Sequence, residues 1–471
     1  MTQTVLYETV ADSISGMISE GTLRPGERVP SVRRLSTQRR VSVATVLRAY
    51  EVLENRGLIE ARPNAGYYVR HRARLADEPS ISNPPKAAQL VGISALVQDV
   101  LDSRRPGIMS FGTACPPPEY MPTGKLQRLI SSIARRKPLS LTQYVLPPGN
   151  EELRRQIARR SLDLGCNLAA KDIIVTNGAM EAMNLCLRAV AKPGDTVALE
   201  SPTYFGLLQT LESLGIKALE IPTHPREGIS LDALEFALDR SKIAAVIAMP
   251  NAQNPLGFTM SDENKKRLVR MLDKRSVPLI EDDVYGDLHY GDDRALPAKA
   301  FDRSGNVMLC SSFTKTLAPG FRLGWVAAGR WHAQVQMLKF INSVGCPEIL
   351  QLVIAEFLAS GGYDRQLRSL RRVFRDQVAH MSSAISQYFP EGTRITRPAG
   401  GFILWVELPE GRDSVELFRQ ALRNNISFGP GVLFTATDRY RNCVRIGCAE
   451  AWGPKVEQAV ARLGELAGKQ R

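Results

Sequence analysis

The stretch SSFTKTLAPGFRLGW, residues 311–325, follows the apolar run 307–309 and places Arg322 seven residues after Lys315. The apolar run predicts a buried β-strand. Ligands of open α/β sheets bind at the carboxyl ends of strands, which is where Lys315 stands. The stretch therefore predicts an α/β fold with a site at one sheet edge, for a ligand that uses a lysine and an arginine.

Apolar strand-like segments alternate with helical segments from about residue 95 to about residue 330. Such alternation predicts a mostly parallel sheet with helices on both faces. From about residue 331 the chain has longer helical segments and the strand-like runs GGFILWVEL (400–408) and NCVRIGC (442–448). These predict a smaller C-terminal α/β subdomain.

Five predicted strands are followed by glycine, polar or aromatic residues that the turns at those places do not require. Taken singly, each has an ordinary explanation, such as a turn, a helix cap or a solvated side chain. Together they offer N–H groups and an arginine for a phosphate, an aromatic face for a flat ring, and a carboxylate for a pyridinium nitrogen. They also offer amide and phenol donors for a phenolic oxygen and an amine for an aldehyde. In chain order they are Gly178, Ala179 and Met180; Tyr204; Asn254; Asp282 and Tyr285; and Ser312, Thr314, Lys315 and Arg322.

The order Gly-Ala, Tyr, Asn-Pro, Asp-x-x-Tyr, Ser-x-x-Lys, Arg resembles that of the fold-type I, class I/II aminotransferases, which bind pyridoxal 5′-phosphate (PLP). The resemblance covers roughly residues 95–470. It implies that Lys315 forms the Schiff base, that Asp282 pairs with the ring nitrogen and that Tyr204 stacks on the ring. It further implies that Asn254 and Tyr285 bind the ring hydroxyl. The phosphate would be bound by Gly178, Ala179, Met180, Ser312, Thr314 and Arg322.

Two further residues gain a role from this resemblance. Arg445, in NCVRIGC, is similar to the arginine that binds the α-carboxylate of an amino acid, a task that suits a planar bidentate donor. Tyr144 is similar to an active-site tyrosine that one subunit contributes to its partner in a dimer. The alternative for Arg445 is an ordinary strand residue in an arginine-rich chain.

The N-terminal region is strongly basic. The whole chain carries a formal charge of +13, and residues 1–74 hold twelve arginines, no lysine and seven acidic residues. A basic surplus of this kind favours a polyanionic partner such as nucleic acid.

The same region predicts three short helices and a hairpin. The helices are YETVADSISGMISEG (7–21), SVRRLSTQRR (31–40) and VATVLRAYEVLENRG (43–57), the second capped by Ser31 and the third by Ser42. LIEARPNAGYYVR (58–70) predicts the hairpin. Two helices joined by a tight turn, with small and polar residues near the start of the second, are typical of a helix-turn-helix that enters a major groove.

Residues 5–70 resemble the winged helix-turn-helix of the GntR family of bacterial transcription regulators. The resemblance implies binding to double-stranded operator DNA, with Val43 where the family often has an arginine. The residues expected to contact DNA are Arg33, Arg34, Arg40, Ser42, Ala44, Thr45, Arg48, Asn64 and Gly66.

The fusion of these two parts resembles the MocR subfamily of GntR regulators. We expect a DNA-binding domain at 1–70, a linker at 71–92 and an aminotransferase-like domain at 93–471, divided near residue 330. The resemblance implies a homodimeric regulator that senses PLP, alone or with an amino-acid-type effector. A working aminotransferase with a secondary DNA-binding domain is the alternative, and the sequence leaves turnover open.

Composition excludes other classes of function. The seven cysteines are scattered and never form a CxxC pair, and the five histidines are isolated, so we expect neither disulfides nor a metal site. No apolar run approaches the roughly 18 residues of a membrane span. We therefore expect a cytoplasmic protein without a membrane partner.

Overall fold

The computed structural model forms two compact units, Met1–Leu75 and Ala76–Arg471. It describes residues 6–19, 22–23, 26–55, 58–62, 66–69, 76–83, 87–92, 97–98 and 107–470. The predicted DNA contact Asn64 lies outside the described residues, as do 71–75 and 84–86 of the predicted linker.

The first unit has the three helices and the hairpin that the sequence predicts. The helices are α1 (Leu6–Ser19), α2 (Val32–Arg39) and α3 (Val43–Asn55), and the antiparallel strands are β1 (Ile59–Arg62) and β2 (Gly66–Val69). Residues at helical spacing on α3 form the centre of the core, because Val46, Ala49, Tyr50 and Leu53 are fully buried.

The second unit is built around an eight-stranded mixed sheet. Its helices are α4 (Thr123–Arg136), α5 (Glu151–Leu162), α6 (Ala179–Val190), α7 (Phe205–Ser213), α8 (Leu231–Arg240), α9 (Asp262–Lys274), α10 (His332–Ser343), α11 (Glu348–Ala359), α12 (Gly362–Tyr388), α13 (Ser414–Arg423) and α14 (Pro454–Lys469). Its strands are β3 (Met109–Ser110), β4 (Ile173–Thr176), β5 (Thr196–Ser201), β6 (Lys217–His224), β7 (Gly228–Ile229), β8 (Ala245–Ala248), β9 (Leu279–Asp282), β10 (Val307–Ser312), β11 (Gly324–Ala327), β12 (Arg394–Ile395), β13 (Ile403–Glu407), β14 (Ile426–Ser427), β15 (Gly429–Pro430) and β16 (Cys443–Gly447).

Short 3-10 turns join several of these elements. They are Pro118–Tyr120, Pro138–Leu141, Ala170–Asp172, Gly286–Leu288, Ala298–Phe301, Pro319–Phe321, Gly329–Trp331 and Gly431–Phe434.

The large sheet has the strand order β4-β11-β10-β9-β8-β5-β6-β7. The run from β10 through β9, β8 and β5 to β6 is parallel, as predicted, whereas β11 is antiparallel to β10 and β4, and β7 to β6. Strands β4, β8 and β9 are buried along their whole length, as expected for a sheet covered on both faces. This packing brings the carboxyl ends of β9 and β10 side by side.

A smaller antiparallel sheet, β12-β13-β16-β15, forms the predicted C-terminal subdomain. The strand β14 pairs with β3 in parallel, which ties the subdomain to the segment at 109–110.

Part of the predicted linker packs along β6 of the second unit. Ser82 exchanges hydrogen bonds with Thr223 (Ser82 N to Thr223 O, 3.2 Å; Thr223 N to Ser82 Oγ, 2.7 Å), and Gln89 and Ala218 exchange two backbone bonds of 2.9 Å. The compact second unit accordingly begins at Ala76, within the predicted linker.

Membrane spans and metal clusters are both missing from the described part of the chain. None of its helices combines the length and the apolar composition that a bilayer crossing needs. The described residues also hold no cluster of three or more side chains suited to a metal ion.

Candidate functional site

A cavity of about 410 Å³ opens at the carboxyl ends of β9 and β10. It gathers nearly all of the predicted cofactor and effector residues, although they come from segments spread over 267 positions of the chain, 179–445. The predicted residues in its wall are Ala179, Met180, Tyr204, Asn254, Asp282, Tyr285, Ser312, Thr314, Lys315, Arg322 and Arg445. Gly178 caps α6 beside them.

One end of the cavity is suited to an anion. Gly178 has φ +81°, and a Cβ there would lie 2.9 Å from Nη2 of Arg322, so a glycine is needed for this approach. Helix α6 starts at the next residue and offers unpaired N–H groups and a positive helix end. The hydroxyls of Ser312 and Thr314 lie 2.7 Å apart, and Arg322 Nη1 is 3.5 Å from Thr314 Oγ1. This arrangement is what a phosphate requires.

The other end is suited to a nitrogen heterocycle with a hydroxyl. Asp282 is 2% exposed and accepts a hydrogen bond from the Val284 N–H at 3.1 Å. Burial, and then the charge of Asp283, raise the pKa of Asp282 to about 7, against opposing effects of Lys315 and that hydrogen bond. A buried carboxyl of this kind gains a partner when a ring nitrogen approaches it.

Two side chains that would face the ring hydroxyl are also buried. Asn254 is 3% exposed, and its Oδ1 atom has no hydrogen-bond partner among the described residues. An amide can turn either its oxygen or its nitrogen toward a partner. The Oδ1 atom without a partner therefore indicates an amide that is available to bind a polar group of a ligand. Burial raises the pKa of Tyr285, which keeps its hydroxyl neutral and able to donate.

Lys315 and Tyr204 lie on loops that directly follow strands. The Lys315 ammonium donates to the backbone oxygen of Ala114. Tyr204 precedes α7, and a Cβ at Gly206 would lie only 2.6 Å from its ring, so glycine makes room for this aromatic side chain. An amine and an aromatic face therefore share the cavity with the anion end and with Asp282.

Arg445 is an almost completely buried cation. It is 1% exposed on β16, it donates from Nη2 to the Gly112 carbonyl, and its Nε atom has no partner among the described residues. No carboxylate of the described residues lies within 4.0 Å of it, and its guanidinium is 5.2 Å from the Phe434 ring centroid and 5.9 Å from that of Phe205. Burial lowers the pKa of Arg445. An unpaired buried guanidinium is costly, which favours an anionic ligand here.

The structure does not bring Tyr144 into this cavity. Its side chain is 84% exposed. Its predicted role, in the site of a partner subunit, stays a prediction.

Sequence reasoning missed other parts of the cavity wall. The segment 112–115 contributes the carbonyls that Lys315 and Arg445 contact, and Phe205 and Met249 add apolar surface. Glu200 does not line the cavity itself, but it accepts hydrogen bonds from the wall residue Met249 (N, 3.1 Å) and from Gln253 Nε2 (3.2 Å), and burial raises its pKa to about 8. A glutamate near the end of an otherwise apolar strand was the available signal; segment 112–115 has no comparable one.

The first unit exposes the residues predicted to contact DNA. Ser42 caps α3 by accepting the Thr45 N–H at 3.0 Å, and Arg40 ends α2 in the left-handed region with φ 53°. Gly66 also has a positive φ, +96°, and packs against the Arg28 guanidinium. The side chains that are exposed are Arg33, Arg34, Arg40, Ser42, Ala44 and Arg48, while Thr45 is half-buried.

Comparison with known proteins gives a consistent result for both units. The family described as Aminotransferase class I and II matches residues 119–463, and the family of bacterial regulatory proteins, gntR family, matches residues 6–69. The uncharacterized HTH-type transcriptional regulators YdcR and YjiR of Escherichia coli strain K12 are 40% and 39% identical to this chain, and each match covers 98% of both chains.

Solved structures resemble the second unit. The α-aminoadipate aminotransferase LysN of Thermus thermophilus, complexed with N-(5′-phosphopyridoxyl)-L-leucine, has a TM-score of 0.73 and 30% identity over 79% of this chain and 94% of its own. The multiple substrate aminotransferase of Thermococcus profundus has a TM-score of 0.75 and 26% identity over 79% and 94%.

Fold and sites thus define a class of protein, a winged-helix DNA-binding unit fused to a PLP-dependent aminotransferase fold. The chain belongs to the class I and II aminotransferase family through its second unit, and as a whole to the GntR-type transcriptional regulators that carry this domain, the arrangement of the MocR subfamily. The predicted fold class and domain fusion are confirmed.

Proposed function

We propose that this protein binds PLP in the 410 Å³ cavity and regulates transcription in response to an amino-acid-type compound bound beside it. One observation carries the proposal: an amine, a buried carboxyl and a buried arginine that has no carboxylate partner among the described residues meet in one cavity of a chain that also carries a GntR unit. When bound, PLP supplies an aldehyde that amines attack and a ring that withdraws electrons.

The residues of the cavity divide this task. Gly178, the start of α6 and Arg322 would hold the phosphate, together with the hydroxyls of Ser312 and Thr314. Asp282 would hold a proton at the ring nitrogen. Ala179 and Met180 form that start of α6 and so belong to the phosphate end. Asn254 and Tyr285 would bind the ring hydroxyl and Tyr204 would stack on the ring, which fixes the orientation of the coenzyme.

Replacing Arg445 with glutamine tests the effector part of the proposal. The guanidinium has no other carboxylate partner among the described residues, so we expect the apparent affinity for a responding amino acid to fall about 10- to 100-fold, as for a lost charged hydrogen bond. The measurement is a titration of full-length, PLP-loaded protein with single L-amino acids, followed by the coenzyme absorbance and by operator binding. Equal titration midpoints for the variant and the wild type would remove Arg445 from the effector site.

The same titration separates regulation from enzyme turnover. A working aminotransferase with an accessory DNA-binding unit is the second candidate, favoured by the complete set of Lys315, Asp282 and Arg445 in one cavity. Sensing predicts spectral change and altered operator affinity without accumulation of keto acid, whereas multiple turnovers with any amino donor and keto acid would establish the enzyme.

The first unit is proposed to read an operator in duplex DNA. Its exposed arginines on α2 and α3 would contact phosphates, and the start of α3 would face base edges in the major groove. Val43, 47% exposed at that start, offers an apolar contact of the kind that suits a thymine methyl group.

Replacing Arg33 with alanine is expected to weaken operator binding several-fold and to reduce the slope of log affinity against log salt by about one, since one phosphate contact is lost. The matched control is Arg39→Ala, because that guanidinium is committed to Ser13 Oγ of α1 at 2.7 Å. Titrations at several salt concentrations measure both. Identical slopes for the Arg33 variant and the wild type would contradict the contact.

A homodimer is part of the proposal. Exposed apolar side chains concentrate on two neighbouring segments, 139–146 and 337–344, which Gln336 joins through its hydrogen bond to the Pro147 carbonyl at 3.4 Å. Patches of this kind mark protein interfaces. The residues are Leu139, Leu141, Tyr144, Leu146, Met337, Phe340, Ile341 and Val344. Tyr144 would then extend toward the site of the other subunit.

A further inference from the structure

A second cavity, of about 720 Å³, lies in the same unit. We call it the arginine cavity; it is lined by Arg160, Asp287, His289, Arg294, Tyr363 and Arg371, with exposed aspartates around them. Among the described residues, Ser312 alone lines both this cavity and the PLP cavity. Its chemistry is therefore separate from that of the coenzyme site.

Much of its wall consists of side chains that are paired with one another. Arg294 is held between Asp283 and Asp287, with Nε donating to Asp287 Oδ1 at 2.7 Å. The Tyr363 hydroxyl donates to the other oxygen of Asp287 at 2.9 Å. Arg160 pairs with Asp364 at 2.7 Å and lies over the Tyr363 ring, 4.6 Å from its centroid. These groups leave little to offer a ligand, but they fix the shape of the cavity.

Two cationic or donor side chains in the wall are not paired in this way. Arg371 donates from Nε to the Asp287 backbone oxygen at 2.8 Å, but no carboxylate of the described residues lies within 4.0 Å of its guanidinium. His289 is 7% exposed, and neither of its ring nitrogens has a hydrogen-bond partner of standard geometry in the described chain.

The surroundings of His289 favour its neutral form. Burial, then the charges of Arg371 and Arg294, lower the pKa of His289, while the Gly291 backbone and Asp287 act in the opposite direction. A neutral imidazole still donates one N–H. Buried polar groups without partners are uncommon in folded proteins, so an anion beside His289 would give its ring N–H an acceptor. The same anion would pair with the charge of the half-buried Arg371, whose only hydrogen bond among the described residues is to a backbone oxygen.

The lining residues with exposed side chains carry the opposite charge. They are Asp163, Asp262, Asp292 and Asp293, and of these only Asp262 has a cation within 4.0 Å among the described residues, the Lys265 ammonium at 3.8 Å. A ligand that is only anionic would be repelled by these carboxylates. A ligand with a carboxylate and an ammonium group satisfies both parts of the lining.

We propose that the arginine cavity binds a small amino acid, with its carboxylate on Arg371 and His289 and its ammonium group toward the exposed aspartates. The site is distinct from Arg445, and its regulatory meaning rests on the proposed function. It gives the protein two places at which an amino compound binds, of which only one touches the coenzyme.

The arginine cavity shares structural elements with the PLP cavity. Ser312 lines both cavities. The Ser311 hydroxyl donates at 3.1 Å to the backbone oxygen of Asp283, the residue that follows Asp282 in the chain. Thr316, next to Lys315, lies 2.8 Å from the Tyr363 hydroxyl. An occupant of the arginine cavity therefore contacts the chain segments that carry the lysine and the ring carboxyl.

The test uses full-length, PLP-loaded Arg445→Gln protein, in which binding at the coenzyme site is weakened. Each standard L-amino acid is titrated calorimetrically, with its decarboxylated amine and its amine-free acid as comparisons where these exist. We expect at least one amino acid to bind once per chain, and neither comparison compound to bind.

In the same background, Arg371→Met should weaken that binding about tenfold or more, as for a lost charged hydrogen bond. The matched control is Arg372→Met, the next residue on α12, which is exposed and has no ion pair within 4.0 Å among the described residues. The double variant Asp292→Asn, Asp293→Asn changes only exposed side chains, so it leaves folding intact and should weaken binding several-fold.

Three results would overturn the proposal. The first is that no amino acid binds the Arg445→Gln protein, and the second is that the amine-free acid binds as tightly as the amino acid. The third is that Arg371→Met and Arg372→Met bind the amino acid alike while the aspartate double variant binds it as tightly as its parent protein. These outcomes differ from failure of the proposed function. Colourless wild-type protein that takes up no PLP would remove the coenzyme site, while the calorimetric titration would still report on the arginine cavity.

Discussion

Replacing Lys315 with alanine is expected to abolish covalent attachment of PLP completely. Lys315 is the lysine in the wall of the 410 Å³ cavity, where the anion end and Asp282 would place the aldehyde. Without its amine no bond to the coenzyme can form there, so this effect is all or none. The measurement is intact mass after borohydride reduction of PLP-treated protein, together with the absorbance above the protein band.

The control for this variant is Lys274→Ala, an exposed lysine at the end of α9. It should retain one coenzyme per chain. The Lys315 variant should still bind PLP without a covalent bond, since Gly178, Arg322 and the neighbouring hydroxyls are unchanged, and should lose it on dialysis. A coenzyme mass that persists on the alanine variant would place the reactive amine on another residue.

Operator binding by the same variant distinguishes two kinds of regulator. If PLP attached to Lys315 is the signal, the variant should bind DNA as the coenzyme-free wild type does, whether or not PLP is added. An amino acid that reaches only the arginine cavity should still act on it, because Arg371 and His289 do not depend on the coenzyme.

The sequence predicted the site because of a property of parallel sheets. The carboxyl ends of β9 and β10 must lie side by side, so residues that follow separate strands, such as Asp282 and Lys315, converge without any local signal that links them. The glycine at 178 was predicted from its position before a helix. Its close approach to Arg322 depends on β11, whose antiparallel pairing to β4 and β10 had no signature in the apolar pattern.

Features held by backbone contacts or by distant pairing were not predictable. Ser82 and Gln89 bond to β6 through main-chain groups, which leave no periodicity in a polar, proline-containing segment. Arg445 was predicted from a resemblance, but its lack of a carboxylate partner among the described residues emerges only from packing. The arginine cavity likewise joins Arg371 and His289, 82 positions apart, through tertiary structure alone.

The stability of the coenzyme-free protein should fall as pH rises, and Asp282→Asn should remove a large part of that fall. The pKa of Asp282 is about 7 in the folded protein against 3.8 for an unperturbed aspartate, because burial penalises the charged form. Between these values the folded state holds a proton that the unfolded state has released. The free energy of unfolding therefore decreases with rising pH from about 4 to about 7, by roughly 4 kcal/mol for this group.

Other buried carboxyls also lower the free energy of unfolding as the pH rises. The test therefore depends on the difference between the wild type and Asp282→Asn. Burial also raises the pKa of Glu200 to about 8 and that of Glu281 to about 7, but both residues are present in the wild type and in Asp282→Asn. The two proteins should have similar stability near pH 4, and the variant should be more stable by a few kcal/mol near pH 8. The exposed Asp376→Asn on α12 is the matched control and should follow the wild type.

Denaturant unfolding followed by tryptophan fluorescence measures this difference in the second unit, since all four tryptophans, at 325, 331, 405 and 452, lie there. Parallel curves for the wild type and Asp282→Asn across pH would show that the carboxyl is ionised in the folded coenzyme-free protein.

PLP should reverse the effect. A protonated ring nitrogen beside Asp282 stabilises the charged form of its carboxyl, so the loaded wild type should lose less stability from pH 6 to 8 than the coenzyme-free protein. Asp282→Asn offers no charge to that nitrogen and should gain less from PLP, which connects the proton on this carboxyl to the affinity of the whole sensor for its coenzyme.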